Sequence, residues 1–309
     1  MLGIALTGAV AAAIAAVLAP FGWPFELFVH FRWQLAAACI ALLAAAFALR
    51  RPWMMAVALA ALVLPFLPAS ALFGGKATAS TTPAVCSADE LRVVTANAWF
   101  AATEHAALLD WLRRSDADVI ALQEVTPAWA AALEPLTGQY PYRKVIARTD
   151  PYGVALLSRW PIVGEIEEAD LVGDGLPSLV ATLEQGNQRI QVIVLHTRWP
   201  VSPALQPLRD RALQQAAQLA AAKPDTTVLL GDLNITPFAP AFARLLDESR
   251  LRDALADELW RPTWLAGFWP LALPIDHVLV PRGSCVIAHE IGPYVGSDHR
   301  PLQVTLRLP

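Results

Sequence analysis

The sequence predicts an α/β sandwich preceded by an N-terminal helical transmembrane region. The chain is 56% hydrophobic with a mean hydropathy of +0.44, and this apolar excess is concentrated before residue 73. After residue 90, short apolar strand patterns alternate with a few helical patterns. Several neighbouring strands are joined by links too short for a helical crossover, which favours a sandwich over a doubly wound parallel sheet.

The first 71 residues contain few charged side chains, namely Glu26, Arg32, Arg50 and Arg51. Three apolar stretches are near the length of about 20 residues that a membrane-spanning helix needs: residues 2–20, 33–49 and 53–72. We therefore expect three spans within residues 1–73, with the lipid bilayer as a partner and no protein partner evident. A cleaved signal peptide is the alternative for the first stretch, but its start lacks basic residues.

The Arg50-Arg51 link has the densest positive charge of this region and should therefore stay in the cytoplasm. This topology places the amino terminus inside and everything after Leu72 outside, although Arg32 counts against it. His30 is expected at a membrane boundary. Residues 74–88 are rich in small residues and Thr and are interpreted as a linker.

Residues 89–309 are long enough for one large domain with a substantial core. From Lys76 onward the chain has 20 basic and 26 acidic side chains, a formal charge of −6. Proteins that bind nucleic acid usually present a basic face. The charge therefore argues mildly against processive work on nucleic acid and leaves lipid or small phosphodiesters open.

The elements of this domain follow from apolar periodicity. Helices are predicted at residues 103–115, 127–136, 205–222 and 241–246. Strands are predicted at residues 91–96, 119–122, 154–157, 179–183, 189–195, 228–230, 275–280, 285–289 and 302–306.

Polar side chains that could do chemistry follow or interrupt these strands. They are Asn97, Glu124, His196, Asp232, Asn234, Asp276, Asp298 and His299. A charged group at a buried strand end is costly unless it is paired, metal-bound or solvated in a cleft. One such residue is often only a capped turn, but so many in one domain favour a functional site. Oxygen ligands without a Cys/His cluster favour Mg²⁺ or Mn²⁺ over zinc.

Two motifs and four shorter elements are present: Gly231-Asp232-Leu233-Asn234 and Ser297-Asp298-His299-Arg300-Pro301, with Asn97, Gln123-Glu124, His196-Thr197 and Ile275-Asp276-His277. This set resembles the endonuclease/exonuclease/phosphatase superfamily. The resemblance covers roughly residues 90–308, in the family's order. It implies a four-layer α/β/β/α sandwich with the site at one edge of the packed sheets. The activity it implies is divalent-metal-dependent cleavage of a phosphate ester.

The resemblance also implies a role for each residue. Glu124 would be the principal ligand of Mg²⁺ or Mn²⁺, assisted by Asn97 and Asp298. Asp232 would orient or deprotonate the attacking water, and Asn234 would hold a phosphate oxygen. His299 would contact the scissile phosphate, oriented by Asp276, while His196 acts from the other side. Arg198 is close enough to reach an anionic substrate, or it could be a solvated arginine.

The substrate stays open at this level. A membrane-anchored phosphodiesterase or nuclease is the leading hypothesis. The alternatives are an enzyme acting on lipid or inositol phosphates and a non-catalytic binding module. The apolar run of residues 265–273 could fill the core, dip into a bilayer or form an apolar rim for a lipid-like substrate.

The cysteines add one expectation. In the resembling fold the first and last strands run near each other, which would allow Cys86 and Cys285 to approach. An external domain would then form a disulfide between them. Two unrelated buried thiols are the alternative. Cys39 lies within the second predicted span as an apolar filler.

Overall fold

Two six-stranded β-sheets form the centre of the chain. The computed structural model describes residues 1–67, 86–186, 188–223, 225–265 and 267–309. The first sheet has the strand order β11-β12-β1-β2-β4-β3 and the second has the order β5-β6-β7-β8-β10-β9. The strands are β1 Leu91–Asn97, β2 Val119–Gln123, β3 Tyr142–Ile146, β4 Val154–Ser158, β5 Glu167–Asp170, β6 Pro177–Gln185, β7 Gln188–Val194, β8 Thr227–Asp232, β9 Leu251–Asp253, β10 Asp276–Pro281, β11 Cys285–Ile291 and β12 Leu302–Arg307.

Each sheet contains one parallel pair of strands, and both pairs are joined by a helix. In the first sheet β1 pairs in parallel with β2, and in the second β7 pairs in parallel with β8. A parallel pair needs a crossover connection, which α5 (Ala106–Ser115) and α7 (Leu205–Ala221) provide. The other ladders are antiparallel, so both sheets are mixed.

Three apolar cores show how the layers pack. One core lies between the sheets and takes residues from both, such as Val93 of β1 and Val192 of β7. A second packs the outer face of the first sheet against α5 and α6 (Pro127–Ala132), with the fully buried Trp129. The third packs the second sheet against α7 and α8 (Pro240–Ser249). The expected α/β sandwich is therefore confirmed.

The N-terminal apolar stretches form short helices, and the three expected membrane spans are wrong. The helices are α1 Leu2–Val17, α2 Glu26–His30, α3 Arg32–Ala48 and α4 Pro52–Val63. Within the described ranges, no helix combines the length and the apolar character that crossing a bilayer requires. The longest, α3, has 17 residues, or about 26 Å at 1.5 Å per residue, against a hydrocarbon core of about 30 Å.

Proline ends two of these helices early, because its ring and its missing N–H cannot continue an α-helix. After α1 the chain turns through a short 3-10 segment that contains Pro20, and after α4 it does so again at Pro65. The expected multi-pass placement in a membrane is therefore wrong. The expected extracytoplasmic position of the catalytic domain depended on those spans and is no longer supported. The last residues of the third expected span and nearly all of the expected linker lie outside the described residues.

Instead, the N-terminal helices pack on one another and on the sandwich. Ala13 of α1, Cys39 of α3 and Ala61 of α4 share a small apolar cluster. Ala16 and Val29 belong to the same core as α7 and α8. Part of the apolar excess of the sequence is therefore buried in helix–helix packing and against the outer layer of the second sheet, while large apolar side chains such as Phe47 and Trp53 are exposed.

A disulfide joins Cys86 to Cys285, with the two Cα atoms 6.0 Å apart. Cys86 precedes β1, and Cys285 begins β11, which lies two strands away in the same sheet. The expected pairing is confirmed, and Cys39 is free and buried.

Candidate active site

The polar strand ends meet at one edge of the two sheets. Asn97 and Asp232 end β1 and β8, while Glu124 and His196 follow β2 and β7. These four strands point the same way within their parallel pairs. Asp276 begins β10, which runs antiparallel to β8, so the start of β10 lies at the same edge and Asp276 pairs with Asp232. His299 comes just before β12, which is antiparallel to β1.

Asp232 is at the centre of this group and is nearly fully buried. Its Oδ2 atom accepts a hydrogen bond of 3.1 Å from Asn97 Nδ2. The same oxygen lies 3.6 Å from His196 Nε2 and 3.7 Å from His299 Nε2. Its Oδ1 atom accepts a hydrogen bond from the backbone N–H of Asn234. One carboxylate thus contacts an amide, two imidazoles and the loop that holds Asn234.

Asp276 and His299 form a closely coupled pair. The Nδ1 atom of His299 lies 2.8 Å from Asp276 Oδ2, which fixes the ring and directs Nε2 toward Asp232. The hydroxyl of Ser297 holds this turn, because it accepts a hydrogen bond from the His299 N–H and donates one to the Asn97 carbonyl. The expected orienting contact between Asp276 and His299 is therefore present in the geometry.

Glu124, Asn97 and Asp298 form the second part of the site. Asn97 Nδ2 also donates to Glu124 Oε1 at 3.0 Å, and Glu124 Oε2 accepts from the backbone N–H of Phe100. Asp298 Oδ2 accepts from the indole N–H of Trp264. The other oxygen of Asp298 is buried without a hydrogen-bond partner in the described chain, and so is Asp276 Oδ1.

The backbone is shaped to bring these groups together. A Cβ on Gly231 would lie 1.9 Å from the Leu195 carbonyl, so only glycine lets β8 approach the strand that leads to His196 so closely. Glu124 and Asn234 adopt left-handed backbone conformations, with φ of 60° and 48°. Such conformations are uncommon for residues with a side chain, and they cluster at functional sites.

The charges of the two histidines differ. Burial disfavours the charged form of His299, but the charges of Asp276 and Asp232 outweigh it and raise the pKa of His299 to about 10. Burial, with the positive charge of His299, lowers the pKa of His196 to about 3. At neutral pH, His299 is thus a cationic hydrogen-bond donor and His196 is neutral.

The two central acids are both harder to ionise than usual. Burial, together with the charge of Asp276, raises the pKa of Asp232. Burial also raises the pKa of Glu124, although hydrogen bonds from Phe100 and Asn97 oppose the shift. A carboxylate with a raised pKa is a stronger base toward water, and a buried acid gains most from a bound cation.

Two carboxylate groupings could hold a metal ion. Ligand atoms of Asp232, Asp276 and His299 lie within 4.8 Å of one another. In this group, however, His299 Nδ1 is already bonded to Asp276, and its Nε2 faces Asp232. Glu124 and Asp298 have only oxygen donors, as Mg²⁺ and Mn²⁺ prefer, and Asp298 Oδ1 has no hydrogen-bond partner in the described chain. The chemistry of this second set fits a divalent cation better.

A cavity of about 290 Å³ opens beside these residues. Glu124, Asn234, Asp298 and His299 form its polar side. Its remaining wall is mostly apolar and includes Leu27, Phe31, Trp99, Phe100, Trp199 and Trp264. The sequence left three interpretations open for the segment 265–273, namely core, bilayer contact and apolar rim. Trp264, just before the segment, and Leu273, at its end, line the cavity, whereas Trp269 is exposed.

Sequence reasoning placed some residues differently and missed others. Arg198 is paired with Asp174, with Nε 2.8 Å from Asp174 Oδ2, and does not line the cavity. His30 is not at a boundary, because it is buried and bonded to Thr236. The positioning hydroxyl of Ser297 could have been found from its place in the Ser-Asp-His motif, whereas no sequence signal placed Leu27 or Phe31 near the site.

Comparison with known proteins gives a consistent result. A profile described as "Endonuclease/Exonuclease/phosphatase family" matches residues 94–299. No curated protein sequence matches the chain.

Among solved structures, the fold is similar to an endonuclease/exonuclease/phosphatase from Bacteroides vulgatus (TM-score 0.60, 15% identity, 72% of this chain and 100% of that chain). It is also similar to D. rerio TDP2 complexed with single strand DNA product (0.57, 18%, 70% and 98%). A third similar structure is sphingomyelinase C from Streptomyces griseocarneus (0.54, 22%, 70% and 99%).

Proposed function

The chain belongs to the endonuclease/exonuclease/phosphatase family and is thus a phosphoesterase, and on this premise we propose that it is a phosphodiesterase dependent on Mg²⁺ or Mn²⁺. The observation that carries the proposal is the position of Asp232, whose Oδ2 is within 3.7 Å of Asn97, His196 and His299. The amide of Asn97 and the two imidazoles thus surround one carboxylate oxygen, and His299 also lines the cavity.

The chemistry follows from these positions. In the hydrolysis of a phosphodiester, a water molecule attacks phosphorus in line, and the opposite P–O ester bond breaks to release an alkoxide or phenoxide. Negative charge builds on the phosphoryl oxygens during this step. Asp232 accepts the proton of the water, which its raised pKa favours. His299, held as an imidazolium by Asp276, donates to a phosphoryl oxygen. One amide hydrogen of Asn234 bonds the Thr197 carbonyl, and the other is left for the substrate.

Glu124 and Asp298 would hold the divalent cation, with Asn97 fixing Glu124 from the side. When bound, the cation would neutralise part of the charge that develops on the phosphate. The support for this assignment is the pair of carboxylates on the polar side of the cavity and the unpartnered oxygen of Asp298.

The test is hydrolysis of bis(p-nitrophenyl) phosphate by the purified full chain, with Mg²⁺ or Mn²⁺ and then with excess chelator. We expect metal-dependent release of p-nitrophenol that Asp232→Asn lowers by about 10²-fold or more, as for loss of a general base. Asp225→Asn, an exposed acid just before the same strand, serves as the control and should keep native activity. Turnover that is unaffected by chelator or by Asp232→Asn would overturn the proposal.

A further inference from the structure

The N-terminal helical segment lies against the catalytic residues. Helix α2 contributes Leu27 and His30 to the wall of the cavity that also contains Glu124 and His299, and Phe31 follows directly after it. The family match begins only at residue 94, so these side chains come from outside the matched region.

Buried polar contacts fix α2 in this place. Glu26 bonds the guanidinium of Arg209 and the amide of Gln206 on α7, and all three side chains are buried. The same Arg209 donates to the backbone carbonyl of Asn234 at 3.1 Å. Arg209 thus joins the N-terminal segment to a residue of the active site.

A second contact joins α2 directly to the same loop. His30 Nδ1 lies 2.8 Å from the hydroxyl of Thr236, two residues after Asn234. Because α2 is linked to this loop directly through His30 and indirectly through Arg209, its apolar side chains have defined positions relative to the phosphate site, as substrate binding requires.

The lining of the cavity indicates what it can accept. Within the described part of the chain, no Lys or Arg lines it, and its carboxylates are Glu124 and Asp298. Further phosphates of a polyanion would therefore find no cation there, although phosphate contacts supply most of the affinity for nucleic acid. Trp99, Phe100, Trp199 and Trp264 instead offer large apolar faces, of which Trp199 and Phe100 are partly exposed.

We propose that this cavity is a subsite for an uncharged apolar group of the substrate, alkyl or aromatic, and that α2 and Phe31 complete it. The inference rests on the proposed function, because it places the phosphate of the same ester at Asp232 and His299. The enzyme would prefer phosphodiesters with an apolar substituent over those with a nucleoside.

The experiment uses the full chain and three diesters with a common p-nitrophenyl leaving group. Their retained groups are methyl, n-hexyl and thymidine, so the chemistry at phosphorus is matched. Each buried CH₂ contributes a factor of about four, so we expect kcat/KM for the hexyl ester to exceed that for the methyl ester by at least tenfold. Equal values, or a preference for the thymidine ester, would overturn the proposal.

Variants locate the subsite. Leu27→Ala and Phe31→Ala should reduce the hexyl-to-methyl ratio of kcat/KM several-fold, because each removes apolar surface that the longer chain would contact. Phe28→Ala is the matched control, because Phe28 lies on the same helix, is exposed and does not line the cavity. A ratio that is unchanged in both test variants, with thermal unfolding as in the native chain, would contradict the role of α2. If those two variants do not fold, the same ratio is measured for Val201→Asn, at an exposed residue that also lines the cavity.

Calorimetry separates this proposal from the proposed function. Hexylphosphonate should bind at least tenfold more tightly than methylphosphonate whether or not the esters are hydrolysed. Tighter binding without hydrolysis would support the apolar subsite and reject the phosphodiesterase. Hydrolysis without tighter binding of hexylphosphonate would support the phosphodiesterase and reject the apolar subsite.

Discussion

At the scale of single residues, Asn97 and Asp232 explain why so many polar groups can be buried together. Asn97 donates to both Glu124 and Asp232, and so it keeps two acids of the same charge apart while satisfying an oxygen of each. Buried polar groups are tolerated when they are hydrogen-bonded. Within this site, Asp276 Oδ1 and Asp298 Oδ1 are buried without a hydrogen-bond partner in the described chain.

Glu124→Gln tests the metal assignment. We expect most of the activity to be lost and the Mn²⁺ concentration needed for half-maximal activity to rise. The reason is that a neutral amide replaces the anionic ligand that a hard cation prefers. The measurements are turnover against Mn²⁺ concentration and direct Mn²⁺ binding. Glu134→Gln, at an exposed acid, should behave as the native enzyme. Native turnover of Glu124→Gln at unchanged metal concentration would exclude Glu124 as the ligand.

The pair of Asp276 and His299 should act as one unit. We expect His299→Ala, Asp276→Ala and the double variant to lose similar amounts of kcat, because members of one catalytic unit are not additive. His289→Ala, at an exposed histidine, is the control. If the losses multiply in the double variant, the two residues act separately, and the 2.8 Å contact is not what orients the imidazole.

At the scale of elements, short segments are fixed by buried ion pairs as well as by apolar packing. Strand β9 has only three residues, yet its Asp253 bonds both Arg261 and His277. Helix α2 has five residues and is held by Glu26. A short element buries little apolar area, so these contacts determine where it lies.

Asp253→Asn should destabilise the fold at pH 7 by about 3–5 kcal/mol, because it leaves Arg261 buried without its anion. Burial opposes ionisation of Asp253, but the charge of Arg261 outweighs it and holds the pKa of Asp253 well below its usual range. Its contribution is therefore complete above the unfolded-state pKa of about 4 and is lost as the pH falls toward the folded-state pKa.

Urea unfolding from pH 7 to pH 2 measures this effect. The native chain should lose stability more steeply than Asp253→Asn below about pH 4. Asp247→Asn, at an exposed acid, should follow the native curve. Parallel curves for native and Asp253→Asn would show that the ion pair does not contribute.

Glu26→Ala tests how α2 is held. We expect a loss of about 3 kcal/mol or more in the free energy of unfolding, because Arg209 is fully buried and loses an anionic partner. Activity toward the hexyl ester should also fall more than activity toward the methyl ester. Glu248→Ala, at an exposed position on α8, controls for the loss of an acid. Unchanged stability and an unchanged ester ratio would mean that α2 is positioned by apolar contacts alone.

At the scale of the whole molecule, the sandwich could be predicted from sequence, whereas the N-terminal region could not. Alternation of apolar residues places strand ends such as Asn97 and Asp232, and short-range motifs place Asp298 beside His299. The contact of Glu26 with Arg209 joins residues 183 positions apart, and no local pattern records it. Hydropathy also cannot distinguish a lipid-facing helix from one that packs on a neighbour, so α1, α3 and α4 were misinterpreted as spans.

The bond between Cys86 and Cys285 should stabilise the whole fold, because it closes 199 residues of chain. The double variant Cys86→Ser/Cys285→Ser should lose about 5 kcal/mol in the free energy of unfolding by the chain-entropy model. Urea unfolding with and without reductant measures this loss, and Cys39→Ala, which keeps the bridge, is the control. Equal stability of native and double variant would show that the bond does not constrain the unfolded chain.

The amide of Asn97 also joins the two sheets at the candidate active site. Asn97 and Glu124 belong to the first sheet and Asp232 to the second, and the two bonds that join them are 3.0 and 3.1 Å long. Compression under hydrostatic pressure, or a smaller side chain between the sheets, would alter the distance across this amide before it altered the fold. Catalysis is sensitive to displacements of about 1 Å. We therefore expect the apolar interior between the sheets to act as a spacer that influences the rate of hydrolysis without touching the substrate.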